Sequence, residues 1–339
     1  MNTPHKKKRV LLPQAIEQEA VSLLESAGVE VILAKDKTPE VVGPLLKGIQ
    51  GVILRTGIVF TRELMAQADD LWVIARTGAG VDNVDVAAAT EKGILVTSVP
   101  GANMRTVAEH ALALTMALMK QLPRLDRELR QDNFGIRYKN LPRDMTAKTL
   151  GLVGLGKIGS EFARMCYQSF DMRILAHDPY LSPEAQNSFK SWVDFCDLET
   201  LFRTSDVISL HIPLLPSTRK MVGSRELGWM KPTAYLINAS RGGVIDEEAL
   251  IQSLKEKRIA GAGLDVFAKE PPEKDNPLKG FDNVILTPHI GGLTLECTIR
   301  MAESAAQSTL DTLQGKKPNG MVNPEVLMHP RWQGVIKEA

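Results

Sequence analysis

Residues 149–178 of the chain have the sequence TLGLVGLGKIGSEFARMCYQSFDMRILAHD. An apolar run of strand length, 149–153, leads into Gly-Leu-Gly-Lys-Ile-Gly at 154–159, and a helical stretch follows from 160 to 169. A second apolar run comes next and is followed by Asp178, nineteen residues after Gly159. Strand, glycine turn, helix and strand in this order predict a βαβ unit of a parallel α/β sheet.

The glycine turn also indicates a ligand. GxGxxG alone is weak evidence, because the alternative is a plain glycine turn followed by an acidic residue at a strand end. In this context the amides of the turn lie at a helix N-terminus, whose partial positive charge favours a diphosphate. A carboxylate at position 178 accepts hydrogen bonds from ribose hydroxyls and repels a 2′-phosphate. The motif therefore predicts NAD rather than NADP, held by Gly154, Gly156, Lys157, Ile158, Gly159 and Asp178.

The same alternation continues on both sides of this unit. Strand-like apolar runs follow at 207–210, 234–237 and 284–286, and others precede it at 10–12, 31–33, 52–54, 73–75 and 94–96. Helical stretches separate these runs, which is typical of parallel sheets. Because 339 residues exceed one ordinary hydrophobic core, the sequence predicts two doubly wound domains.

Two helical stretches fall outside this alternation. Residues 106–119 are apolar on nearly every side yet too short to cross a bilayer. We interpret them as a buried helix that links the domains or lies in an interface. Near the C-terminal end, Leu295, Ile299 and Ala302 share one face of a last helix, which we expect to pack on the first domain.

The composition argues against a nucleic-acid-binding, a metal-dependent or a membrane protein. The 41 basic residues nearly balance the 40 acidic ones, so no charge field suggests a nucleic-acid partner. The three cysteines and six histidines lack metal-ligand spacing, so we expect no structural zinc and no catalytic metal; His110 is predicted to be structural. No apolar stretch of about 18 residues and no secretory signal is evident, so we expect a cytoplasmic protein without a membrane partner.

Three later segments place reactive side chains after strands. They are 238–243 with Arg241, 264–272 with Glu270, and 287–292 with His289. A guanidinium clamps a carboxylate and an imidazole donates a proton to a carbonyl oxygen, as reduction of a 2-oxo acid by a nicotinamide requires. Each residue alone is more often exposed or structural. Their joint placement after strands favours a ligand site, because open parallel sheets bind ligands at that edge.

Together these segments resemble those of the D-isomer-specific 2-hydroxyacid dehydrogenases, most closely the short phosphoglycerate dehydrogenase and hydroxypyruvate reductase members. The resemblance covers almost the whole chain, including ARTGAGVDNVD at 75–85 and HIPL at 211–214. It implies that Arg241 binds the substrate carboxylate, His289 exchanges a proton with the C2 oxygen, and Glu270 orients His289. A carboxylate partner also raises the pKa of an imidazole, which keeps a proton available near neutrality.

The resemblance implies further contacts. Asp265 is expected near the nicotinamide carboxamide, and the other cofactor contacts are Ile212, Pro213, Ala239, Ser240, Gly291 and Gly292. The substrate carboxylate is expected to meet the amides of Gly78, Ala79 and Gly80. Arg55 and Arg76 are candidates for holding a second anionic group, although a surface position is equally compatible with the sequence.

The expected architecture is α/β, with two doubly wound parallel-sheet domains. A flavodoxin-like substrate domain comprises 1–104 and 294–339, and a Rossmann-type NAD-binding domain comprises 105–293. The site is then expected in the cleft between them, where closure excludes water from hydride transfer. Long phosphoglycerate dehydrogenases carry a C-terminal regulatory domain for which this sequence is too short, so we expect no serine feedback through one.

The expected function is that of an NAD-dependent D-2-hydroxyacid dehydrogenase. Its substrate is 3-phosphoglycerate or phosphohydroxypyruvate in one hypothesis, and glyoxylate or hydroxypyruvate in the alternative. A third hypothesis is an NAD(H)-sensing interaction protein, which the lack of charged or low-complexity arms disfavours. Because the family usually dimerises through its cofactor domains, we expect a homodimer.

Overall fold

The computed structural model describes residues 7–139 and 141–336. These residues form two compact units: unit 1 comprises residues 7–103 and 293–336, and unit 2 comprises residues 104–139 and 141–292. The predicted domain ranges also include residues 1–6, 140 and 337–339, which lie outside the described part of the chain.

Unit 1 is built on a five-stranded parallel sheet. Its strands are β1 (Arg9–Leu12), β2 (Glu30–Leu33), β3 (Gly51–Leu54), β4 (Val73–Arg76) and β5 (Leu95–Thr97). They are arranged in the order β2-β1-β3-β4-β5, which is the order of flavodoxin-like sheets. The helices that separate them are α1 (Gln18–Ser26), α2 (Pro39–Leu45), α3 (Arg62–Met65) and α4 (Val86–Glu91).

Unit 2 contains a seven-stranded parallel sheet. Its helices are α5 (Met104–Met119), α6 (Leu122–Arg130), α7 (Lys157–Phe170), α8 (Pro183–Asn187), α9 (Leu198–Thr204), α10 (Ser224–Trp229) and α11 (Glu247–Lys255). Its strands are β6 (Thr149–Val153), β7 (Arg173–His177), β8 (Val193–Phe195), β9 (Val207–Leu210), β10 (Tyr235–Asn238), β11 (Gly261–Leu264) and β12 (Val284–Leu286). The order β8-β7-β6-β9-β10-β11-β12 is the Rossmann order extended by one strand. The predicted fold class is therefore confirmed.

The register of unit 2 aligns the carboxyl ends of five strands. Val153 pairs with Leu210, Leu210 with Asn238, Asn238 with Leu264, and Leu264 with Leu286. The chain therefore leaves β6, β9, β10, β11 and β12 at one edge of the sheet. Because the intervening helices cover its faces, this edge is where the sheet can meet a ligand.

The apolar helix α5 packs within unit 2 itself. Its residues Ala111, Leu114 and Leu118 are buried in the same core cluster as Phe162 of α7 and Ile237 of β10. The apolar character of this helix therefore reflects the core of its own unit. An interface between domains or subunits is therefore not needed to explain why α5 is apolar.

The last helix, α12 (Leu295–Leu313), belongs to unit 1. Cys297, Met301 and Ala302 are buried in one cluster with Val10 and Leu24, from β1 and α1. Leu295, predicted to share the packed face, is instead 74% exposed in the first turn of the helix. The face of α12 that packs in unit 1 therefore contains Cys297, Met301 and Ala302 and does not contain Leu295.

Candidate active site

The glycine turn between β6 and α7 has the geometry of a diphosphate loop. Gly154 has a φ of +93°, and a Cβ there would lie 2.6 Å from the carbonyl oxygen of His211. A Cβ on Gly159 would overlap the carbonyl oxygen of Gly154, whereas a Cβ on Gly156 would have no atom within 4 Å. Tight turn, close helix packing and an open backbone face are the three requirements for approach of a dinucleotide diphosphate. The residues present therefore fit that group.

Asp178 lies directly after β7 and is linked to the glycine turn. Its Oδ2 accepts the N–H of Leu155 at 2.9 Å, and its Oδ1 accepts the N–H of Tyr180 at 3.0 Å. Each carboxylate oxygen can accept a further hydrogen bond, so ribose hydroxyls remain compatible with this arrangement. The bond to Leu155 was not predicted, and it makes Asp178 a support of the turn as well as a candidate ribose ligand.

The remaining candidate cofactor residues also lie at this edge. Ile212 and Pro213 follow β9, Ala239 and Ser240 follow β10, and Gly291 and Gly292 follow β12, whereas Lys157 and Ile158 open α7. His211, beneath the glycine turn, has its Nε2 2.9 Å from Oγ of Ser209. Burial lowers the pKa of His211 to about 4, so its ring is neutral near pH 7.

His289 and Glu270 form a hydrogen-bonded pair. Nδ1 of His289 is 2.7 Å from Oε2 of Glu270, and Oε1 of Glu270 accepts the N–H of Phe267 at 3.1 Å. The hydrogen bond to Glu270 raises the pKa of His289, although burial opposes it. Burial alone would raise the pKa of Glu270, but the bonds from His289 and Phe267 outweigh it and lower that pKa. The pair can therefore hold a proton on the imidazole and present Nε2 to a ligand.

Arg241 follows β10, the strand two places from β12 in the sheet. The segment is shaped by Asn238, whose amide donates to the carbonyl of Arg241 at 3.0 Å and whose Oδ1 accepts from the N–H and the hydroxyl of Ser240. The positive charge of Arg241 acts on His289 and lowers its pKa, opposite to the effect of Glu270. The three residues predicted for chemistry are thus brought into one electrostatic environment.

Sequence reasoning missed Asn238 as a site residue. It is fully buried at the end of an otherwise apolar strand, Tyr-Leu-Ile-Asn. A buried amide at that position requires hydrogen-bond partners, and the Arg241 segment supplies them. The asparagine that ends this apolar run was the feature of the sequence that could have identified it.

Asp265 lies after β11 and is 1% exposed. Its Oδ1 accepts from the hydroxyl of Thr287 at 2.6 Å and the N–H of Ile290 at 2.8 Å, and its Oδ2 accepts the N–H of Gly291 at 2.8 Å. Burial alone would raise the pKa of Asp265, but these bonds and one from His110 outweigh it and lower that pKa. Asp265 thus fixes the loop that carries His289, and its contact with a nicotinamide stays a prediction.

Among the predicted substrate residues of unit 1, Arg55 follows β3 and Arg76 is the last residue of β4, and both arginine side chains have hydrogen-bond partners. Arg55 is half-buried and pairs with Oε1 of Glu17 at 2.5 Å. Arg76 is 5% exposed and donates to the carbonyls of Gly80 and Leu54 at 3.1 and 2.9 Å. A buried guanidinium needs such acceptors, so Arg76 supports the 78–80 loop rather than offering itself to solvent. Gly78, Ala79 and Gly80 lie in that loop, with Ala79 exposed.

The described part of the chain contains neither a metal-binding cluster nor a membrane-spanning helix. In residues 7–139 and 141–336, no group of three or more His, Cys, Asp or Glu side chains is arranged to hold a metal ion. Within the same part of the chain, every helix is too short or too polar to span a bilayer.

Known proteins resemble the chain along most of its length. The D-3-phosphoglycerate dehydrogenase of Methanocaldococcus jannaschii is 38% identical over 317 residues, which cover 93% of this chain but only 59% of that protein. The chain therefore spans less than two thirds of such relatives. The glyoxylate reductase of Korarchaeum cryptofilum is 37% identical over 327 residues, 95% of this chain and 97% of the relative.

Solved structures and a family model agree with these relatives. The TT0316 protein of Thermus thermophilus has a TM-score of 0.84 at 34% identity, with 93% of this chain and 99% of that one covered. Residues 112–291 match the family model described as D-isomer specific 2-hydroxyacid dehydrogenase, NAD binding domain. The chain belongs to the D-isomer specific 2-hydroxyacid dehydrogenase family, and its unit 2 contains the NAD-binding domain of that family.

Proposed function

We propose that the chain is an NAD-dependent oxidoreductase that transfers hydride between the nicotinamide and C2 of a small 2-oxo or 2-hydroxy acid. The observation that carries the proposal is the His289–Glu270 hydrogen bond, formed at the sheet edge that also holds the glycine turn and Arg241. An imidazole with a raised pKa beside a guanidinium suits protonation of a carbonyl oxygen next to a carboxylate.

Each of the three residues has a distinct role in this proposal. His289 donates a proton from Nε2 to the C2 oxygen during reduction and accepts it during oxidation. Glu270 fixes the ring through Nδ1 and favours its protonated form. Arg241 binds the substrate carboxylate, because a planar guanidinium can offer two parallel N–H donors.

The cofactor-binding residues are proposed as the sequence predicted them. NAD(H), when bound, supplies or receives the hydride. Gly156 and the first turn of α7 face the diphosphate, Asp178 binds the adenosine ribose, and Asp265 lies near the carboxamide. The backbones at 212–213, 239–240 and 291–292 run along the cofactor.

The substrate class is proposed with two candidates. A phosphorylated acid such as 3-phosphoglycerate or phosphohydroxypyruvate needs cations beyond Arg241, and Arg55 with Arg76 would supply them. The pairing of Arg55 with Glu17 and the burial of Arg76 favour the second candidate, an unphosphorylated acid such as glyoxylate or hydroxypyruvate. In either case the amides of Gly78, Ala79 and Gly80 are proposed to bind the carboxylate.

Oxidation of NADH in the presence of a panel of 2-oxo acids tests the proposal. The panel pairs phosphohydroxypyruvate with hydroxypyruvate, which differ by one phosphate, and adds glyoxylate and pyruvate. We expect turnover with at least one acid, and a larger kcat/KM for hydroxypyruvate than for its phosphate ester. Tight NADH binding without turnover of any acid would instead support an NAD(H)-sensing interaction protein.

We also propose that the protein is a cytoplasmic homodimer. Five large apolar side chains of the segment around α6 are more than half exposed: Leu122, Leu129, Phe134, Tyr138 and Leu141. A second copy would remove this surface from water. The three free cysteines suit a reducing compartment. Solution scattering that gives the mass of one chain would contradict the dimer, and fractionation of cells would test the compartment.

A further inference from the structure

A second histidine, His110 on α5, lies against the loop that carries His289. Its Nε2 is 3.0 Å from Oγ1 of Thr287 and 3.4 Å from Oδ1 of Asp265, and its side chain is 19% exposed. Its ring also packs on Gly291, where a Cβ would lie 3.3 Å from Cδ2 of the imidazole. His110 therefore contacts three positions of one small cluster.

The hydrogen bonds of this cluster run in one direction. Thr287 has a single hydroxyl proton, and its Oγ1 lies 2.6 Å from Oδ1 of Asp265. Although burial opposes ionisation, the hydrogen bonds on Asp265 lower the pKa of its carboxyl below the usual range, so the hydroxyl must donate to a carboxylate. Oγ1 is then free only to accept, and Nε2 of His110 must carry the proton that it donates. The hydrogen-bond chain runs from His110 through Thr287 to Asp265, and Nε2 of His110 also lies 3.4 Å from the Asp265 carboxylate.

Asp265 in turn accepts hydrogen bonds from the backbone of the loop that carries His289. Its carbonyl oxygen accepts the N–H of His289 at 2.8 Å, and its carboxylate accepts those of Ile290 and Gly291. Three successive backbone N–H groups therefore end on one residue. The orientation of the Asp265 side chain fixes the path of the loop.

This path includes a backbone conformation that needs support. His289 has a φ of +53°, in the left-handed region that residues other than glycine seldom occupy. Such conformations persist where the surrounding structure holds them. Here the surroundings are the hydrogen bonds to Asp265 and a second bond from the N–H of His289 to the carbonyl of Thr287 at 3.0 Å.

We propose that His110 is a positioning residue for His289: through Thr287 and Asp265 it holds the left-handed turn that presents the His289 ring to the substrate. The proposal rests on the function proposed above. His110 does not touch the reacting atoms; it acts through the hydroxyl of Thr287 and through its own contact with the carboxylate of Asp265. Loss of its Nε2–H leaves the Thr287 oxygen with one fewer donor, so the turn loosens and the His289–Glu270 contact is made less often.

Paired variants separate the hydrogen bonds from the volume that these side chains fill. Thr287→Val replaces the hydroxyl with a methyl group, and Thr287→Ser retains it. His110→Phe keeps a ring without the donor, and His110→Gln restores a donor. Thr115→Val is the matched control, because Thr115 is a buried threonine of α5 whose hydroxyl donates to the carbonyl of Ala111.

Two measurements are made on each variant. The first is kcat for the best 2-oxo acid. The second is the titration midpoint of the His289 imidazole, followed by NMR on the protein without substrate. The charged groups that act on His289 are Glu270, Asp265 and Arg241, and all three are present in every variant.

We expect Thr287→Val and His110→Phe to lower kcat by about 10- to 100-fold, the scale of a small misplacement of a catalytic group. In both variants, we expect the titration midpoint of the His289 imidazole to fall toward that of an ordinary histidine. Thr287→Ser and His110→Gln recover most of both properties, and Thr115→Val changes neither.

Unchanged kcat and an unchanged midpoint in Thr287→Val and His110→Phe would overturn the proposal, as would an equal loss in Thr115→Val. Should His110→Phe fail to fold, Thr287→Val, which exchanges groups of similar size, still decides. If the wild-type protein reduces no 2-oxo acid, the proposed function fails, and the His289 titration alone still tests the positioning.

Discussion

Nδ1 of His289 and Oε2 of Glu270 lie 2.7 Å apart, and their side chains are 45% and 37% exposed. An ion pair this open to water contributes little to folding stability. Its effect lies in the orientation of the ring and in the affinity of the ring for a proton. The pair is therefore expected to influence turnover and its pH dependence more than the melting temperature.

Replacing His289 with alanine removes the proposed proton donor. We expect His289→Ala to lower kcat by about 10²- to 10⁴-fold, the usual contribution of a general acid or base. Binding of NADH, measured by fluorescence titration, should stay close to that of the wild-type protein, because the glycine turn and Asp178 are untouched. Retention of full turnover would remove the proton-transfer role from His289.

Glu270→Gln tests the direction of the pKa shift. Because Glu270 raises the pKa of His289, the wild-type imidazole stays protonated above the ordinary histidine range. Reduction needs that proton, so its rate is lost as the pH rises through the raised pKa. In Glu270→Gln this alkaline limb of kcat/KM should move to lower pH, and the acid limb of the oxidation reaction should move the same way. A profile that stays in place would contradict the assigned partner.

Asp178 is expected to control the choice between NADH and NADPH. Asp178→Arg removes the repulsion of a 2′-phosphate and supplies a cation, so the Kd for NADPH should fall and that for NADH should rise. Asp178→Asn is the control for the glycine turn, since its amide oxygen can still accept the N–H of Leu155, while its amide nitrogen gives up the bond from Tyr180. We expect Asp178→Asn to weaken discrimination without the general loss of binding that a collapsed turn would cause. Identical preferences in all three proteins would exclude the ribose contact.

Gly242 joins two of the segments that carry the site. A Cβ at this position would overlap the backbone carbonyl of Phe267, which lies in the segment that carries Glu270. We expect Gly242→Ala to displace Arg241 relative to Glu270, to reduce kcat/KM, and to destabilise the fold by about 1–3 kcal/mol through overpacking. Thermal unfolding and steady-state kinetics measure the two effects.

The matched control is Gly228→Ala in α10, where an added Cβ has no atom within 4 Å outside its own helix. Alanine is the better helix former, so this variant should be as stable as the wild type or more so. Equal damage from both alanines would mean that the close approach of Gly242 to Phe267 does not matter.

The sheets were predictable because most of their strands are short runs of buried apolar residues. The glycine turn was predictable because a tight turn, close helix packing and an open backbone face require glycines at fixed spacing. Two strands were missed. β11 reads Gly-Ala-Gly-Leu, and a Cβ on Gly263 would lie 3.1 Å from Leu114 of α5, so small residues are required where a branched run would mark a strand. β8 is a three-residue edge strand with a charged centre, Val-Asp-Phe.

Arg241 and His289 were found from their positions after predicted strands, and Asp265 from the family resemblance, but the side chains that support them were not found. Thr287 and His110 are 177 residues apart, and no local pattern relates them. Likewise, the sequence left Arg76 open as either a ligand or a surface charge, whereas it is buried against the carbonyls of Gly80 and Leu54. The contacts of His110 and of Arg76 both depend on which groups the fold brings within hydrogen-bond distance. The periodicity of apolar residues in the sequence carries no information about such groups.

Unit 1 takes its core from two segments that flank unit 2, and unit 2 takes its own from one continuous stretch. A ribosome therefore releases every strand of the second sheet before it has made the helix that covers Val10 and Leu24. Until α12 emerges, the first sheet keeps an apolar face in water, where it is prone to associate with other nascent chains. Chaperone demand during synthesis is accordingly expected to come from the segment that forms β1 to β5.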